Sequence, residues 1–441
     1  MDKKNSSNKI NMKSKGGGEE STMMMRKVLL GLGFWVQGLR CFPWMGVNYY
    51  LKDNLRVDAT TLQLLQNSAN LPMVAKPVYG LISDSFYIAG QHRIPYIAFG
   101  AILQSLSWLA IAFYPSEASF STITICLLLG NLGASIVEVA NDAVVAETSQ
   151  SSSGGLQSFV WMASSLGGVM GNLLGGIAIE KFSPKGMFVI FGLILGMQHL
   201  LTLFIRESYL NLPKGSSDMS IRKQFNELVS ALKRPEISRS ITWLAFSYGI
   251  IPSLAGTMFF YQSQHLGIDS SAIGISKVFG QVAMLLWGIV YNQRLRSWTP
   301  RRLITTIQCV MGIFVVSDYL FVKGIYRSLW VPDTVYVVLF SGLIEVLCFF
   351  KILPFTIVMA QLCPHGCEGS LMAFVMSTVA LAFIVSGYFG VVLSSYVGVT
   401  AEDGFSKLPF ALIIQSVCMF LPIYWSSCIP ELPSKSKKKE T

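Results

Sequence analysis

Charge is scarce in this chain: Asp, Glu, Lys and Arg make up 13% of its 441 residues, whereas 52% are hydrophobic and the mean hydropathy is +0.51. A soluble domain cannot bury that much apolar surface in one core, so a water-soluble globular fold is excluded. Histidine is rarer still. His92, His199, His265 and His365 are scattered, and no Gly-x-Ser-x-Gly, His-Glu-x-x-His or Gly-x-x-x-x-Gly-Lys run occurs. No enzyme chemistry, cofactor or metal is therefore expected. The eight cysteines lie mostly inside apolar stretches without the spacing of a disulfide framework, and read as small buried hydrophobes. Cys363-Pro-His-Gly-Cys367 carries ligand-type residues, but its Pro and Gly mark a turn and no second Cys/His group accompanies it. The first 27 residues hold seven Lys/Arg and no short apolar run before a small-residue cleavage site, so neither a secretory signal nor a clear transit peptide is expected.

What the chain does have is long apolar runs. A spanning helix needs about 20 apolar residues. Such segments recur at about Val28–Leu51, Thr60–Ile82, Ile94–Tyr114, Ser121–Glu147, Gly155–Ile179 and Gly186–Ile205, numbered here 1 to 6. Segments 7 to 12 follow at about Ile241–Tyr261, Ser270–Tyr291, Leu303–Val322, Thr334–Leu362, Gly369–Val397 and Leu408–Cys428. The expected fold is an all-α integral membrane protein with twelve transmembrane helices in two six-helix bundles. Its divisions are a basic tail (1–27), a first bundle (28–205), a linker (206–240), a second bundle (241–428) and a second basic tail (429–441). In the linker, Ile221, Phe225, Leu228, Val229 and Leu232 share one helical face, which predicts a short interfacial helix.

The net charge of +10 is explained by topology and needs no nucleic-acid partner. Alternate connections hold 23 and 7 Lys/Arg, so the positive-inside rule places both termini in the cytoplasm, in a plasma or organelle membrane, a plastid envelope included. Gly80 and Asp84 after segment 2 have counterparts 208 residues later in Gly288 and Asn292, a weak repeat of the kind found in transporters that rock one bundle against the other. A small-molecule substrate, protons and the bilayer are the expected partners, with the chain acting as a monomer.

Eight charges lie inside the segments: Arg40, Lys76, Lys277, Lys351, Glu138, Asp142, Asp318 and Glu345. Each costs roughly 2.5 to 3.5 kcal/mol near the bilayer centre, so together they mark a polar interior. Arg40, near the middle of segment 1 and followed by Pro43, suits a carboxylate or phosphate, or a structural salt bridge to segment 4; both readings stay open. Glu138 and Asp142 share one face of segment 4. They either hold an exchangeable proton or remain ionised and paired to Arg40 and Lys76. Lys76 and Lys351 lie past the middle of segments 2 and 10. Lys277 and Asp318 sit nearer segment ends, where Lys277 reads as snorkelling, while Glu345 at mid-depth has no such escape. Gly167, Gly171 and Gly175, with Gly168 and Gly176 beside them, read as a helix-packing stripe in segment 5.

Gly80-Leu-Ile-Ser-Asp84, with Arg93 beyond, resembles the signature of the major facilitator superfamily. The fuller run Lys76-Pro-Val-Tyr-Gly80-Leu-Ile-Ser-Asp84, then Gly90-Gln-His-Arg93-Ile-Pro95-Tyr96, resembles the folate-biopterin transporter family, plant members most closely. Asn141-Asp142-Ala-Val-Val-Ala-Glu147, Lys351-Ile-Leu-Pro354-Phe355 and Leu362-Cys-Pro364-His-Gly366-Cys-Glu368-Gly369 extend the resemblance through both halves. Gln91, His92 and His365 depart from the family pattern, and the segment 10 acid is Glu345 in place of an earlier Gly-Asp.

The resemblance implies a secondary carrier of folates and pteridines working by alternating access with proton coupling. Substrate binding would then fall to Arg40, Lys76, Glu138, Asp142, Lys351 and Glu345: acids on segment 4 accept from the pterin's amino and ring N–H groups, and Arg40, Lys76 and Lys351 hold the tail carboxylates. Glu138 and Asp142 would also carry the proton, and Gly80, Asp84, Arg93, Gly366 and Glu368 would serve the gating motifs. Two alternatives stand beside this: a carrier of another organic anion, and a membrane protein that senses pteridines without transporting them.

Overall fold

A computed structural model describes residues 24–114, 120–149, 155–207, 221–295, 297–362 and 368–430. Among these residues the secondary structure is helical, apart from one isolated bridge between Ile88 and Gln91. Eight helices are long and apolar enough to cross a membrane: Ile94–Phe113, Phe120–Val145, Phe159–Lys181, Pro184–Leu203, Ser270–Val290, Pro300–Val322, Asp333–Met359 and Ser370–Val397. Leu408–Tyr424 is apolar but shorter, because segment 12 ends at Trp425 and a 3-10 turn replaces its expected last residues. The helices need no water-facing core, because their exposed Leu, Ile, Phe and Val side chains suit a hydrocarbon solvent.

Segments 1, 2 and 7 are interrupted, and proline chemistry accounts for the breaks. Segment 1 is helical over 24–39, turns at Arg40 and resumes over Cys41–Tyr49, where Pro43 has no N–H to return to Leu39. Segment 2 passes from Ala59–Ala69 through a 3-10 turn, Leu71–Ala75, into Lys76–Ser85, with Pro72 and Pro77 at the two joints. Segment 7 differs from its expected continuous span. It begins at Pro235, runs to Gly249, and restarts as Ala255–Phe260 after a non-helical stretch containing Pro252. Segment 10 also pauses at Lys351, three residues before Pro354. Arg40, Lys76 and Lys351 therefore all stand at helix joints close to a proline.

Segment 5 is the wedge of the bundle. A Cβ on Gly167 would strike the Trp35 carbonyl, and Gly171 and Gly175 lie against Cys41 and Met45, so this stripe lets segments 1 and 5 approach closely. Gly168 and Gly176 face Gln281 and Ser270 of segment 8. The predicted linker helix forms over Ile221–Leu232, but it buries Leu228 and Ala231 against Ile237 and the cores of segments 7 and 11, leaving Phe225 exposed. One end of the bundle thus carries the linker, and the other is its far end.

Near the far end the two halves are tied by side chains meeting backbone. Gln63 Nε2 donates to Ser253 O (2.6 Å) and Gly387 O (2.9 Å), and its Oε1 accepts from Gly256 N (2.9 Å). One buried amide thereby satisfies groups that the segment 7 break would otherwise strand. Ser68 and Tyr388 hydroxyls meet at 3.0 Å, Glu180 accepts from Ser271 N at 3.3 Å, and Ser377 Oγ donates to Val74 O at mid-depth.

Candidate functional site

Segment 4 brings Asn131, Ser135, Glu138 and Asp142 to one face by the helical repeat. Opposite stand the joints of segments 1 and 2. Glu138 bridges both of their cations: Arg40 Nη1 to Oε1 at 2.6 Å and Lys76 Nζ to Oε2 at 2.6 Å. Arg40 Nη2 donates onward to Asn131 Oδ1 (2.7 Å), whose Nδ2 donates to Ala69 O (2.6 Å) and Asn70 Oδ1 (3.2 Å). The C-terminal end of the Ala59–Ala69 helix thus supplies the acceptors that hold Asn131, and Asn131 in turn holds the arginine. Glu138 is 9% exposed by side chain, whereas Arg40 and Lys76 keep 18% and 21%, so the two cations are less buried than the carboxylate they share.

Of the two readings of Arg40, the salt bridge to segment 4 is present, and Lys76 joins it. Asp142 is separate: it is exposed, lies under the electrostatic influence of Lys76, and has no ion pair within 4.0 Å among the described residues. Asn141, 1% exposed, packs its amide against Gly33 on segment 1.

The second half contributes two separate arrangements. Lys351 is fully enclosed, donating to Ser247 O (2.9 Å), Ser247 Oγ (3.0 Å) and Gln308 Oε1 (2.8 Å), with its Nζ 3.7 Å from the centre of the Tyr248 ring. An ammonium there suits the C-terminal carbonyls of the Pro235–Gly249 helix and the ring face. Lys351 makes no contact with Glu138 and is 0% exposed. Glu345 and Lys277 form a looser pair, 3.4 Å apart, with side chains 57% and 31% exposed. Lys277 therefore pairs inward with a neighbouring helix, contrary to the snorkelling expected of it. Asp318, 9% exposed, accepts from the Tyr336 hydroxyl at 3.2 Å near the far end.

The motif residues at the linker end gain partners that local sequence does not announce. Arg93 is buried and donates from Nη1 to Ser83 Oγ (2.6 Å). Glu207, just past segment 6, accepts from the backbone N–H groups of His92 (3.0 Å), Arg93 and Ile94 (2.9 Å), capping the Ile94–Phe113 helix. The His92 ring adds a contact at 3.1 Å. Although partial burial opposes ionisation, these hydrogen bonds win and hold the Glu207 carboxyl at about 2, below its usual range. Gly80 is in the Lys76–Ser85 helix beside Val139. The Asp84 and Glu368 side chains and all of Gly366 lie outside the described residues, as does Cys363-Pro-His-Gly-Cys367. Gln63, Asn131, Glu207, Ser247 and Gln308 were not legible as site residues, since each is a lone polar residue whose partner is far along the chain.

A family model described as the BT1 family matches residues 37–441. A probable folate-biopterin transporter 7 from Arabidopsis thaliana is 59% identical over 93% of this chain and 95% of its own length. A probable chloroplastic folate-biopterin transporter 8 of the same plant is 42% identical over 91% of this chain and 75% of its own. Among solved structures, a D-xylose-proton symporter superposes with a TM-score of 0.69 at 15% identity, covering 93% of this chain and 99% of that one, which makes the fold of the major facilitator type. This chain is an integral multi-pass membrane protein, it belongs to a family of transporters and not of enzymes, and that family is BT1, the folate-biopterin transporters.

Proposed function

We propose that the protein is a secondary carrier of folates and related pteridines working by alternating access. Segments 1, 2, 7 and 12 complete twelve crossings with the eight long apolar helices, both termini are cytoplasmic, the bundles are 28–205 and 241–428, and the monomer is the working unit. The observation that carries this reading is the bridge Arg40–Glu138–Lys76, set at helix joints near mid-depth with its cations partly exposed. Two cations holding one carboxylate form a site that an incoming substrate carboxylate can share, while Glu138 keeps the cations from going uncompensated when the site is empty. The ties through Gln63, Ser68 and Glu180 then belong to a state closed at the far end and accessible from the linker end.

Proton coupling falls to Asp142. Glu138 is committed to two cations, whereas Asp142 is one turn away, exposed and without an ion pair among the described residues, so it can take a proton without breaking the Glu138 bridge. Uptake of radiolabelled folate into liposomes containing the purified protein tests the carrier reading. Uptake should rise with an inward proton gradient, and Asp142→Asn should transport without responding to that gradient. A gradient response unchanged in Asp142→Asn removes the residue from coupling. Ligand binding without uptake favours the sensor over the carrier.

A further inference from the structure

We propose that Lys277 is the anion-binding group supplied by the second half of the chain, taking a carboxylate of the substrate in exchange for Glu345. The proposal rests on the pteridine-carrier reading above. Segment 8 has three distinguishable faces. Ile275, Phe279, Val282, Leu286 and Ile289 are exposed along one side, where the bilayer meets them. Ile273, Ser276 and Gly280 are buried toward segment 10, with Ser276 Oγ donating to Val337 O (2.6 Å) and accepting from Gly342 N (2.7 Å). Gly274 and Gln281 turn to segment 5, against Gly176 and Gly168.

At about 100° per residue, Lys277 falls between the segment 5 and segment 10 faces and away from the lipid side. Its ammonium therefore lies on the side of segment 8 shared with segments 5 and 10, where it meets Glu345. Lys351, by contrast, is 0% exposed and has three acceptors of its own. Lys277, with 31% of its side chain exposed and a single acceptor at 3.4 Å, is the second-half cation that a ligand can reach. A half-exposed pair at that distance is weak, so a substrate carboxylate can displace Glu345 at little cost. Glu345, 57% exposed by side chain, can be released without being buried elsewhere.

The test compares a ligand with carboxylates and one without, folate and biopterin, in liposomes holding the full-length protein. Lys277→Ala should raise the folate KM about tenfold and leave the biopterin KM within about twofold, and Lys277→Arg should keep the folate value close to wild type. An unchanged folate KM, or an equal loss for both ligands, overturns the proposal. Tryptophan quenching by each ligand gives the same contrast in Kd without transport. If the wild type binds but does not carry, the carrier reading fails and Lys277 is judged by the Kd ratio alone. A wild type that binds neither ligand overturns both.

Discussion

Replacing Glu138 by Gln removes the one anion that Arg40 and Lys76 share while changing the side chain's shape very little. Each cation is 2.6 Å from a different carboxylate oxygen, so one substitution leaves two charges uncompensated at once. Removing one partner of a buried ion pair costs roughly 3 to 5 kcal/mol. Here the cations are not sealed: 18% of the Arg40 side chain and 21% of Lys76 are exposed, and Arg40 keeps its hydrogen bond to Asn131, so water relaxation brings the cost to the lower end, about 3 kcal/mol. For a protein of this size each kcal/mol moves the midpoint by about 1 °C, which places the apparent melting temperature about 3 °C below wild type. The assay is thermal unfolding in detergent at neutral pH and one fixed scan rate, without ligand. The double variant Glu138→Gln/Lys76→Gln leaves a single stranded charge and should melt above Glu138→Gln alone. A single variant within about 1 °C of wild type, or a double variant whose loss is the sum of the two singles, would refute the bridge as described.

Gln63→Leu should leave Ser253 O, Gly387 O and Gly256 N unpaired and favour the state open at the far end; labelling of a Ser68→Cys reporter by an impermeant maleimide from that side should rise several-fold. No change in labelling would remove Gln63 as a latch. Glu207 has a folded-state pKa of about 2 against an ordinary 4.5, so its stabilisation is complete above about 4.5 and is lost as pH falls toward 2. Discounted for partial exposure, that component is about 1 to 2 kcal/mol; melting curves of Glu207→Gln should lie below wild type at pH 7 and converge with it as pH falls through this window. Lys351→Met strips the donor from Ser247 O and Gln308 Oε1 in a closed pocket, and should lower the melting temperature by several degrees.

Much of the architecture could be read along the chain. The runs of apolar residues located the long helices, Pro43 marked the bend beside Arg40, and the segment 5 glycines announced close packing, whereas segments 2, 7 and 10 were expected as continuous spans. Pro252 shows the limit of that reading: it lay in view within segment 7, yet the length of the break depends on Gln63 and Ser386, which satisfy backbone groups at Ser253, Gly256 and Ile251 from other helices.

By itself the sequence determined that this is a membrane protein with charges held inside the bilayer, and that Glu138 and Asp142 share one helix face. Those conclusions depend on composition and helical repeat, which are local properties. Only the tertiary structure decided that Glu138 takes both Arg40 and Lys76, 98 and 62 residues away, that Lys351 is shut in by Ser247 and Gln308, and that Lys277 faces Glu345. The periodicity of a helix tells which of its residues lie together, but not how the helix is rotated in the bundle. That rotation is fixed by packing against neighbours distant in the chain, and it decides whether an intramembrane charge meets a partner, a ligand or lipid.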